Sequence, residues 1–177
     1  VIRPQDMPLQ VANGNFDLAI TGEDWFREHI YRFPASPVKK LLDLGFGQVK
    51  IVAAVNTEVP VANIAQLRRY IQNGAYPCLR VASEYINIAD RYLQDQHIGY
   101  YKLILTWGAS EVFPPEDADL LIDNVQTGRT LSKQNLKVID ILFQSQACLI
   151  GNTQGLASRD KAKNINFIIR RMEKAVA

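Results

Sequence analysis

Cysteine and histidine are scarce in this chain of 177 residues, with two of each: Cys78, Cys148, His29 and His97. The two cysteines lie far apart and have no metal-ligand spacing, which leaves neither a disulfide framework nor a zinc cluster. Each is expected to be a small buried hydrophobe, and the expected compartment is a reducing cytoplasm. The histidines are isolated from each other, so no Ser/His/Asp arrangement can be drawn from them. His29 and His97 fall near helix ends and read as cap or surface residues. No apolar run approaches the roughly 20 residues that cross a bilayer, and no signal-like segment opens the sequence. The net charge is only +2 and the pI about 8.6. With no basic stripe interleaved with aromatics, this argues against a nucleic-acid partner. Repeats and low-complexity tracts are absent. A hydrophobic content of 47% and a charged content of 21% describe a globular chain, long enough for one domain or two small lobes.

What is present is concentrated in Leu120-Leu-Ile-Asp-Asn-Val-Gln-Thr-Gly-Arg-Thr130. An apolar, β-prone run ends in an acid, and a Gly-containing turn leads into a helix-like segment. Amides at a helix start lack intrahelical partners and, with the helix dipole, suit a phosphate. Gly128 lets the backbone approach closely. The hydroxyls of Thr127 and Thr130 can donate to phosphate oxygens, and Arg129 can add charge. Asp123 stands where a carboxylate accepts from ribose hydroxyls. Together these features describe a phosphoribosyl pocket, although Thr-Gly-x-Thr by itself is usually a turn and a cap. A second strand end with a Thr-Gly turn occurs at Phe16-Asp-Leu-Ala-Ile-Thr-Gly-Glu-Asp24. Two such ends suit a ligand cleft at the carboxyl ends of strands.

Strands are expected at Val1–Arg3, Leu18–Ile20, Val49–Val55, Leu79–Ala82, Tyr101–Thr106, Leu120–Asp123, Ile139–Phe143 and Ala147–Asn152. Helices are expected from Pro8 to near Gly14, and over Asp24–His29, Val61–Asn73, Ile86–Gln96 and Arg159–Val176. Shorter helical turns are expected at Gly108–Val112 and Thr130–Gln134. Tyr31–Pro37 reads as a loop. In the last helix, Ile165, Ile168, Ile169, Met172 and Val176 share one face. Strand–helix alternation of this kind implies an α/β fold.

Taken in order, these motifs resemble those of the ATP phosphoribosyltransferase family, which opens histidine biosynthesis. Arg3-Pro-Gln-Asp-Met-Pro8 resembles the family's Arg-Pro-x-Asp-Ile-Pro. Gly14 to Asp24 resembles Gly-x-x-Asp-x-Gly-Ile-Thr-Gly-x-Asp. Leu41-Leu-Asp-Leu-Gly-Phe-Gly47, Ala82-Ser-Glu-Tyr85, Gly108-Ala-Ser-Glu111, Ala118-Asp119 and Asp123 with Thr127-Gly-Arg-Thr-Leu131 complete the series. The resemblance implies two lobes like those of a type II periplasmic binding protein, with the active site between them and crossings near Val52–Val55 and Ser145–Leu149. Residues 1–52 and 148–177 would form lobe I, and residues 53–147 lobe II with the phosphoribosyl pyrophosphate loop. The family's opening strand and Pro-Lys-Gly-Arg element have no match here. The first lobe is therefore expected to be incomplete at its N-terminus, and the residues given are expected to show little or no activity alone.

The implied reaction is that of a pentosyltransferase. N1 of ATP attacks C1 of phosphoribosyl pyrophosphate, and pyrophosphate leaves. The resemblance makes Asp123 and Glu111 the catalytic acids. It assigns Gln126, Thr127, Gly128, Arg129 and Thr130 to phosphoribosyl pyrophosphate, and Thr21, Gly22, Asp24 and Tyr85 to the nucleotide. No side chain is assigned to a metal; Mg²⁺ is expected only on the phosphates. The implied partners are the two substrates, further copies in a homo-oligomer (a dimer or higher) and, for the short form of the family, a synthetase-like regulatory subunit. Membrane and nucleic acid are not among them. Two departures from the pattern stand out. Ala19 replaces a glycine, and Trp107 stands where the family has a small residue beside the pocket glycine. An anion-binding protein, or an inactive regulatory relative of the same fold, is the alternative reading.

Overall fold

The computed structural model describes residues 2–176, and the chain divides into two compact units. One comprises Val1–Gln48 with Ser145–Ala177, and the other comprises Val49–Gln144.

The first unit begins with a 3-10 turn at Pro4–Asp6, where a strand was expected from Val1 to Arg3. Ile2 and Arg3 are irregular, and Val1 lies outside the described residues. Pro4, with its fixed φ and missing N–H, favours a helical start over a strand. The elements that follow are α1 (Met7–Ala12), β1 (Leu18–Gly22), α2 (Glu23–Arg32) and β2 (Val38–Asp43). After the second unit come β8 (Ala147–Asn152), α6 (Thr153–Ala157) and α7 (Arg159–Val176). The sheet is antiparallel throughout, with β8 between β1 and β2. Its core is Val11, Val38, Cys148 and Ile150, with Ala19 and Phe26 packed against it. Burial pushes the Cys148 thiol up to about 12, as fits an inert small hydrophobe. Asn152 ties the layers together: its Oδ1 caps α6 and its Nδ2 donates to the Val11 carbonyl at 2.7 Å. α7 has the expected bounds, but Ile165 is the one residue of its apolar face that is buried. Ile168 and Val176 stay exposed, at 45% and 42%.

The second unit holds β3 (Val49–Asn56), α3 (Ile64–Gln72), β4 (Leu79–Ser83), α4 (Ile86–Asp95) and β5 (Tyr101–Leu105). A 3-10 turn at Ser110–Val112, β6 (Leu120–Val125), α5 (Arg129–Lys133) and β7 (Leu136–Ser145) complete it. Its sheet has the order β5-β4-β6-β3-β7, with β4 parallel to β5 and β6, and β3 antiparallel to β6. β7 therefore belongs to this sheet. Ile51 to Val55 are all at most 2% exposed, as befits a strand covered on both faces. Val52, Ala54, Ala82, Leu121, Leu131 and Leu136 form one core cluster. Leu121 and Asp123 lie two apart on β6, so the carboxylate leaves the sheet on the same face as this cluster. That geometry brings Asp123 toward α5.

Helix α3 ends as its Asn73-Gly74 signal requires. Gly74 has φ +86°, its amide donates to Ile71 O, and the Ala75 amide donates to Tyr70 O. This is the Schellman closure. Helix α4 ends in the same way on His97, at φ +57°, with Ile98 N donating to Leu93 O.

Candidate functional site

The site is built where β6 runs out. Leu120, Leu121 and Ile122 are fully buried, and the strand's polar end begins at Asp123. One oxygen of that carboxylate accepts from the Asn124 amide at 2.6 Å and from Asn124 Nδ2 at 3.2 Å. Burial is the largest influence on its proton affinity and pushes its pKa up to about 6. The nearby charges of Glu84 and Glu111 act in the same direction, while the Asn124 amide, which donates to the carboxylate, opposes them.

Beyond Val125 the chain turns through Gln126 and Thr127 to Gly128, whose φ of +72° is open to glycine without strain. Gly128 caps α5, and the amides of this cap and of the first turn are those a helix leaves without internal partners.

A cavity of about 350 Å³ joins these pieces. Of the residues assigned from sequence, Glu111, Asp123, Gln126, Thr127, Gly128 and Thr130 line it together. Arg129 does not line it, being one step around the helix from Gly128 and Thr130. Glu84, Gly108, Ala109 and Asn124 line it without having been assigned. Glu84 was within reach of sequence reasoning, since it stands in Ala82-Ser-Glu-Tyr85, where the aromatic was chosen over the acid. Among the described residues lining this cavity there are three carboxylates and no lysine or arginine. No group of three metal-ligating side chains occurs among the described residues.

The residues assigned to the nucleotide have other partners. Tyr85 is 1% exposed, and its hydroxyl accepts from Asn124 Nδ2 at 3.1 Å. It is thus joined to the cavity wall through Asn124. Thr21, Gly22 and Asp24 belong to the first unit. Thr21 donates to the Pro4 carbonyl at 2.7 Å. Asp24 is buried at the start of α2, with its Oδ1 accepting from Ser145 Oγ at 2.6 Å. A side chain at Gly22 would collide with that carboxylate, so the glycine makes room for Asp24. His29, 8% exposed, bonds Ser36 Oγ at 2.7 Å. Burial and the nearby Arg32 charge lower its pKa.

The family model described as ATP phosphoribosyltransferase matches residues 3–174. The chain belongs to the ATP phosphoribosyltransferase family. The enzyme of that name from Sulfurisphaera tokodaii is 33% identical over 177 residues, covering 99% of this chain and 57% of that protein. The one from Saccharolobus solfataricus is 34% identical over 178 residues, covering 100% and 57%. The chain thus spans little more than half the length of these relatives. Among solved structures, the ATP phosphoribosyl transferase (HisG:HisZ) complex from Thermotoga maritima matches 99% of this chain and 78% of its own, at 20% identity and TM-score 0.79. The periplasmic aliphatic sulphonate binding protein SsuA from Escherichia coli matches 97% and 56%, at 12% identity and TM-score 0.55. The fold of this family member is therefore α/β and similar to type II periplasmic binding proteins. No helix among the described residues is long and apolar enough to cross a membrane.

Proposed function

We propose that this chain carries the phosphoribosyl pyrophosphate site of an ATP phosphoribosyltransferase, which performs the first step of histidine biosynthesis in the cytoplasm. The observation that carries the reading is the cavity in which Asp123, Glu111 and the Gln126–Thr130 turn meet. The turn takes the 5′-phosphate with the amides and hydroxyls of Thr127, Gly128 and Thr130. Asp123 and Glu111 face the ribose. N1 of ATP attacks C1, the C1–O bond to pyrophosphate breaks, and pyrophosphate leaves with the Mg²⁺ it brought. Positive charge develops on the ribose ring in the transition state, and preorganised carboxylates stabilise it. Asp123 serves in its ionised form, so turnover falls as pH falls through about 6. Assembly into a homo-oligomer with a synthetase-like regulatory subunit is part of the proposal, supported by the complex named for the Thermotoga maritima structure.

The test is pyrophosphate release with ATP and phosphoribosyl pyrophosphate in the full-length protein. Asp123→Asn should lower turnover by about 10²–10³, the usual effect of removing one preorganised electrostatic contact. Normal turnover in that variant would remove Asp123 from the mechanism.

A further inference from the structure

Trp107 is the most exposed large apolar side chain among the described residues, at 76%. A tryptophan normally buries much of its surface, roughly 150–250 Å². Among the described residues no ring or cation pairs with this indole. The turn that carries it is nevertheless held at both ends. Thr106 and Ser110 are 2% and 0% exposed, and their hydroxyl oxygens are 2.7 Å apart. The Thr106 amide donates to Ser83 O at 3.1 Å and prolongs the β4–β5 ladder into the turn. Between these anchors Gly108 and Ala109 both lie in the left-handed region, at φ +89° and +51°. Alanine rarely adopts that conformation, so the turn is held in one strained shape. Gly108 and Ala109 line the Asp123 cavity, and a Cβ at Gly108 would lie 3.9 Å from Glu84 Oε1. The indole is therefore rooted one residue, about 3.8 Å along the chain, from the cavity wall. The described lining of the cavity itself contains no aromatic side chain.

We propose that Trp107 is a binding residue for the nucleotide, its indole serving as the platform on which the adenine ring of ATP stacks at the rim of the phosphoribosyl cavity. N1 of the base has to reach C1 of a ribose held in the cavity, which leaves the rest of the purine at the rim. A base presents a flat π-face, and stacking on an aromatic side chain holds it without engaging its edge. The N1 lone pair lies in the plane of the ring, so a stacked adenine keeps it free to attack. A hydrogen bond to N1 would occupy the reacting electrons. The pinned turn supplies the platform already ordered, which spares the nucleotide the cost of fixing a loop. This inference rests on the proposed function of the cavity, since the base comes to the rim only if the ribose lies within.

The experiment joins kinetics to fluorine NMR in the full-length protein labelled with 5-fluorotryptophan. The Trp107 resonance is assigned by its loss in Trp107→Phe. Mg²⁺–ATP should shift that resonance, whereas Mg²⁺–tripolyphosphate, which lacks a base, should leave it in place. In pyrophosphate release, Trp107→Ala should raise the KM for ATP roughly tenfold, within the usual range for loss of one base–aromatic stack. Trp107→Tyr keeps an aromatic face and should stay close to wild type. Calorimetric binding of Mg²⁺–phosphoribosyl pyrophosphate should be unchanged in both variants, because Trp107 does not line the cavity. An unchanged KM for ATP in Trp107→Ala, or a resonance shifted equally by tripolyphosphate, overturns the proposal. A resonance that moves with protein concentration and ignores ATP overturns it in favour of contact with a second copy of the chain. A wild-type protein that releases no pyrophosphate overturns the function assigned to the cavity, and the Trp107 contact then stands or falls on the fluorine shift alone.

Discussion

At neutral pH the Asp123 carboxylate is ionised close to Glu84 and Glu111, and burial holds its pKa near 6 instead of the ordinary 3.8. An acid that binds its proton more tightly when folded stabilises the fold fully below the unfolded value. That contribution is lost as pH rises through the folded value. Above about pH 6, Asp123 therefore costs the protein stability. Asp123→Asn keeps an acceptor for the Asn124 amide while removing the charge. It should be more stable than wild type at pH 7.5, by on the order of 1–2 kcal/mol after discounting for solvent screening. The advantage should vanish near pH 3.5. Urea denaturation at the two pH values measures it, and an equal gap at both would refute the charge argument. At this scale the sequence was readable wherever a residue's role is local. Asp123 at a strand end and Gly128 in a turn carry their geometry with them. Glu84 does not, because its place on the cavity wall depends on where β4 lies against β6.

Elements were legible in proportion to their punctuation. Helix α3 has an Asn63 cap that accepts from the Gln66 amide, and Gln66 reaches back to the Ala62 amide. The expected start at Val61 falls before this cap, whereas the expected end at Asn73 coincides with the observed closure at Gly74. Strand β2 lacks such signals. Its Val-Lys-Lys-Leu-Leu-Asp run does not alternate, because the pairing with β8 shifts register between Lys40 and Leu42. The run becomes a strand only when β8 pairs with it. The end of α4 falls between the two cases. It closes in the same manner as α3, but with His97 where glycine would be expected. A left-handed residue with a Cβ costs about 1–2 kcal/mol, partly offset by the entropy that glycine loses on folding. His97→Gly should therefore stabilise the protein, by roughly 0.5–1 kcal/mol in chemical denaturation. A loss of stability would mean that the His97 side chain makes a contribution greater than its strain.

For the whole molecule, strand–helix alternation sufficed for the α/β class, but charge has to be read locally. The sequence has a net charge of only +2, too mild to say how a polyanion is received. The cavity has the opposite character, with Glu84, Glu111 and Asp123 on its wall and no lysine or arginine among its described lining. Backbone amides and hydroxyls can hold one phosphate, yet they cannot neutralise a pyrophosphate brought up to three carboxylates. Like-charge juxtaposition of that kind costs several kcal/mol. The polyanion must then arrive with its charge already reduced by Mg²⁺. Calorimetric binding of phosphoribosyl pyrophosphate should therefore weaken by about 100-fold or more when Mg²⁺ is replaced by a chelator, as a penalty of about 3 kcal/mol requires. Glu84→Gln should bind the metal-free ligand better than wild type, because one repulsive charge is gone. Equal affinity with and without Mg²⁺ would show that cations outside this cavity supply the neutralisation, and the local reading of charge would fail.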